Sequence, residues 1–145
     1  MLTRTRIARL VFAAVLLSVA PLAAYAGDMS GKWYDDSGNG VINLYKAGPE
    51  YSSSLAVTQG DIPAGSPHAT PGHFRNNITE FAATDSHVHF KITETMLGSD
   101  DHILGYATLE YDLELSPEGA RLIGTLTSSI FGGDPTTRPI TLFKH

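Results

Sequence analysis

From Ala107 to Leu115 the chain alternates without a break. Ala107, Leu109, Tyr111, Leu113 and Leu115 fall on one side; Thr108, Glu110, Asp112 and Glu114 fall on the other. A strict period of two puts the apolar set on one face of a β-strand and the polar set on the opposite face. A helix would scatter the same residues around its axis and leave no continuous apolar stripe. A strand of this kind is half-buried, and other strands must cover its apolar face. Ser116-Pro117-Glu118-Gly119 follows it and reads as a turn.

The same period recurs. Val88, Phe90 and Ile92 alternate with His87, His89 and Lys91, and Leu122, Gly124 and Leu126 share a face of the next segment. Upstream, Gly31–Tyr34 opens a strand, Val41–Lys46 resumes it after the turn residues 36–40, and Tyr51–Gln59 forms another. Asn77–Thr84 fits a weak strand or a short helix. Met96–Asp101 reads as a loop, Gly132-Gly133-Asp134-Pro135 as a turn, and Pro139–Lys144 as a closing strand. Gly60–Asn76 is the one long irregular stretch. It holds His68, His73, Phe74 and Arg75, and long loops of this kind serve as lids, binding loops or plain surface loops. Seven or eight short-turned strands with one apolar face predict an all-β fold. The expected form is an antiparallel up-and-down barrel of about eight strands, because closure removes exposed edges. A two-sheet sandwich is the alternative.

Residues 1–26 read as a secretory signal peptide. Arg4, Arg6 and Arg9 precede the apolar run Leu10–Ala20, and Ala24-Tyr25-Ala26 forms an A-x-A cleavage site. The run is about half the roughly 20 apolar residues that a membrane span requires. The expected product is residues 27–145, a single domain that is periplasmic or secreted. With no cysteine in the 145 residues, neither a disulfide nor a lipoprotein anchor is available, so no stable membrane anchor is expected. The leader carries three of the ten basic residues and none of the fifteen acidic ones. The remainder thus has seven basic residues against fifteen acidic, a charge of −8. Such a surface repels phosphate backbones and anionic lipid, which excludes nucleic acid as a partner.

Gly31-x-Trp33 at the first strand, Leu122-x-Gly124-Thr125-Leu126 before the last, and the closing Ile140-Thr141-Leu142-Phe143-Lys144 resemble the calycin group, the small lipocalin- and avidin-like barrels. The resemblance implies that Trp33 plugs one end, with Gly31 allowing the bend and a basic residue, Lys144, lying across the ring. Two departures limit what carries over. The sequence ends at His145, so a lipocalin-like barrel without the C-terminal helix is expected. Trp33 is also the sole tryptophan, so the multi-tryptophan biotin site is not implied.

Binding is the expected activity. A small apolar molecule in or at the barrel mouth would be walled by Tyr45, Tyr51, Phe74, Phe90, Tyr106 and Tyr111. The alternative is an interaction or inhibitor module with a filled barrel that docks on another envelope protein. No motif marks an enzyme: there is no G-x-S-x-G, no thiol nucleophile, and no glycine-rich turn leading into a helix. His87 and His89 share a strand face at metal-ligand spacing, but they lie opposite Val88 and Phe90 and read as a solvated face. Asp100-Asp101-His102 reads as a turn. No catalytic residue, metal ligand or cofactor is assigned.

Overall fold

The computed structural model describes residues 27–56, 59–61 and 72–145. Residues 1–26, expected to be a signal peptide, and the centre of the long loop, with His68, lie outside the described residues. Nine strands follow one another: β1 Gly31–Tyr34, β2 Gly40–Ala47, β3 Glu50–Leu55, β4 Gln59–Asp61, β5 Gly72–Ala83, β6 His87–Gly98, β7 Ile103–Leu115, β8 Arg121–Ile130 and β9 Thr136–Lys144. They form one antiparallel sheet in the order β3-β2-β1-β9-β8-β7-β6-β5-β4. Eight of them make a nearly closed barrel, and the three-residue β4 lies on the edge of β5. Among the described residues there is no helix. This is the all-β barrel that the alternation predicts, and its geometry is compatible with a calycin-like fold.

The last strand meets the first. Trp33 pairs with Lys144 and Tyr34 with Phe143, which turns the meander back on itself. Two seams remain. β3 packs beside β5 with no ladder between them among the described residues. Lys46 on β2 crosses that seam to Asp85 in the β5–β6 turn at 2.6 Å. The second seam runs along β9, because the short β1 pairs only with its last residues. Pro139, which has no N–H to offer, occupies that free edge.

β5 corrects two expectations. Residues 72–76 of the long irregular stretch belong to this strand, pairing Gly72–Asn76 with Gly98–Glu94 of β6, and Asn77–Ala83 continues it. β6 likewise runs to Gly98, so the expected loop at Met96–Asp101 shrinks to a tight turn. A β-bulge between Ile78 and Glu80 puts both Ile78 and Phe81 toward the core. A spacing of three also fits one face of a helix.

The core is concentrated at one end. Met29, Trp33, Leu44, Val88, Leu113, Leu122 and Leu142 are all sealed from solvent there. Trp33 is 0% exposed, and its indole N–H donates to the Met29 carbonyl at 2.8 Å. Lys144 Nζ stands 5.7 Å from the ring centre and donates to the Asp28 carbonyl at 3.0 Å. Gly31 sits at φ +128°, and a Cβ there would crowd the Lys144 side chain. This end is filled by the side chains of these buried residues.

Candidate functional site

The opposite end is built differently. Successive inward rows run from Val88–Leu113 through Phe90–Tyr111 and Ile92–Leu109 to Glu94–Ala107. On β5 the corresponding inward residues are Ala83, Phe81, Ile78 and Asn76. The interior therefore passes from aliphatic to polar as it nears the rim. A cavity of about 120 Å³ opens at this level, lined by Asp35, Asn39, Val41, Leu55, Asn76, Ile92, Glu94, Leu109 and Tyr111, together with Gly40. Its walls are apolar except where Glu94, Asn76, Tyr111 and the Asp35 turn converge.

Each polar group has a structural reason for its position. Asp35 folds the β1–β2 turn by accepting from the backbone N–H groups of Ser37 and Asn39 at 3.0 and 2.8 Å. Tyr111 stacks on Phe90, with ring centres 4.5 Å apart and planes 12° from parallel. Burial pushes its phenol up to about 12, while the Arg138 charge pulls the other way. It therefore stays a neutral hydroxyl across physiological pH. Burial also raises the Glu94 carboxyl above the ordinary range, opposed by a hydrogen bond from the Asn76 amide. Asn76 Oδ1 is closed to solvent and accepts no hydrogen bond. Glu94 makes no ion pair among the described residues.

No protein-family model, curated protein or solved structure matches this chain.

Of the residues expected to wall a cavity, only Tyr111 lines this one. Phe90 lies directly beneath it as core, and Phe74 is half-buried on the inner face two residues nearer the rim than Asn76. The other three are corrected. Tyr45 is 53% exposed on the outer face, because Leu44 takes the inward position beside it. Tyr106 faces outward opposite Thr95. Tyr51 belongs to the plugged end, where its hydroxyl accepts from the Met29 N–H at 3.2 Å and Lys46 lies over its ring. Glu94, Asn76 and Ile92 were not singled out from the sequence. Counting on by two from Val88, Phe90 and Ile92 reaches Glu94, and a carboxylate that continues a core-facing register was the available signal.

The histidines stand outside the barrel. His87 pairs with Asp112 at 2.7 Å, and His89 lies 3.5 to 3.8 Å from Glu80, Glu110 and Asp112. His73 faces Asp101 at 3.2 Å, and His102 bonds Asp100 within the β6–β7 turn. Among the described residues no group of three or more His, Asp or Glu side chains is arranged to hold a metal ion.

Proposed function

We propose that this protein is an exported, lipocalin-like binding protein that carries a small molecule at the open end of its barrel. The observation that supports this reading is the cavity above the packed Phe90–Tyr111 layer. Apolar walls at Ile92, Leu109, Leu55 and Val41 receive a compact apolar body, and a few polar groups fix its orientation. At about 120 Å³ the space suits a small molecule or one end of a larger one.

Native mass spectrometry of the protein purified from its source organism's envelope tests this. A non-covalent small-molecule adduct is expected, and it should vanish when Leu109→Trp fills the cavity. A bare protein mass in the wild type contradicts the proposal.

A second reading has its own support. Ile103, Tyr106, Ile130 and Phe131 are exposed together at the rim end of β7 and β8. Apolar residues grouped in this way suit docking on another protein. A protein-sized adduct in the same spectrum would select that reading.

A further inference from the structure

The ligand's head group follows from what the cavity leaves unanswered. Glu94 is a half-buried carboxylate that makes no ion pair among the described residues, and the Asn76 amide donates to it. Asn76 Oδ1, on the same side chain, is shut off from water with no donor. Arg138 forms no salt bridge among the described residues and lines a separate hollow with Asp36 and Ile140 beside β9. The Tyr111 hydroxyl and the Asp35 turn complete the polar side. Glu94 and Asn76 Oδ1 offer acceptors, and the Tyr111 hydroxyl can accept as well as donate.

We infer that the cavity binds a small organic cation with a primary ammonium head, held by the Glu94 carboxylate, with its apolar body on Ile92 and Leu109. This inference rests on the reading of the open end as a ligand site. An ammonium group brings three donors, no acceptor and a full positive charge. It supplies Glu94 with a counter-charge. Neutral alcohols fit the walls but leave the carboxylate unpaired. Anions of the same length meet Glu94 and Asp35 as like charges. The strongly acidic balance of residues 27–145 also draws cations toward the barrel.

Three isosteric probes test the inference on the purified protein by calorimetry or NMR titration: n-butylammonium, n-butanol and butyrate. Butylammonium is expected to bind about tenfold or more tightly than butanol, with butyrate weakest. Glu94→Gln, nearly identical in shape, should erase the preference for butylammonium over butanol. Trp33 fluorescence reports that the variant remains folded. Equal binding of ammonium and alcohol would overturn the head-group assignment while leaving the open end as a ligand site. Failure of all three probes to bind would overturn both. A preference for butyrate, or an ammonium preference that survives Glu94→Gln, would also overturn the assignment.

Discussion

Lys144 Nζ lies 5.7 Å from the centre of the Trp33 ring, and the two residues pair directly across the β9–β1 junction that closes the sheet. One contact therefore serves as both barrel closure and end plug. Trp33→Ala should cost roughly 3–5 kcal/mol, the usual loss for a buried large aromatic. Lys144→Ala should cost about 1 kcal/mol, since a cation over a ring at a partly wet rim contributes modestly. Chemical denaturation of the two variants measures both. The native Trp33 should emit as a buried ring that resists aqueous quenchers, and a freely quenched ring in the folded protein would count against the plug.

Gly124 tests the β7–β8 wall. A Cβ at this position would run into the Asp112 carbonyl oxygen on the neighbouring strand, and backbone cannot rotate away as a side chain can. Gly124→Ala should therefore destabilise by about 1–3 kcal/mol or more, as overpacking does. Gly105→Ala offers a contrast, because the atoms nearest its Cβ belong to the Phe131 ring, a side chain rather than backbone. The midpoint of urea unfolding should fall further for Gly124→Ala; equal midpoints would show that the strands are not packed at this register.

Much of this architecture is legible in the alternation itself. Ala107–Leu115 and Val88–Ile92 show their inward faces because burial there is aliphatic, and hydrophobicity tracks geometry. The same strands become unreadable near the rim. Glu94 and Asn76 keep the inward register but break the hydrophobic pattern, and Gly72–Asn76 contains one apolar side chain, Phe74, among polar neighbours. The candidate site was hidden for that reason: polar residues on the inner face of a strand look like loop when hydrophobicity is the only guide. The aromatic residues misled in the opposite direction. Tyr45 and Tyr106 are large and amphipathic, and they sit on outward positions that only the register reveals.

Glu94 should make stability depend on pH. Burial raises its folded-state pKa above the 4.5 of an unperturbed glutamate, so the folded state holds the proton more tightly than the unfolded chain. Its favourable contribution is complete below the unfolded value and is lost as pH rises through the folded one. Glu94→Gln should consequently melt at a higher temperature than the wild type near neutral pH, with the gap closing toward about pH 4. A gap that is unchanged or widens on acidification would contradict the burial of this carboxyl.

The outer-face histidines should matter little to folding. His87 and His89 stand among Glu80, Glu110 and Asp112 on a solvated face. Replacing both with alanine should shift stability by no more than about 0.5 kcal/mol, as surface changes usually do. Added zinc should not change the wild-type melting temperature. A stoichiometric zinc stabilisation lost in the double variant would reveal a metal site.

A barrel filled at one end and receptive at the other has a spatial signature. Methyl-resolved NMR during titration with n-butylammonium reads it directly, since Ile92, Leu109 and Leu55 line the cavity while Leu122 and Leu142 pack the plugged end. Saturable shifts are expected at the first three methyl sets and not at the last two. Shifts centred on Leu122 and Leu142, or no saturable shift at Ile92 and Leu109, would contradict a binding site at the open end.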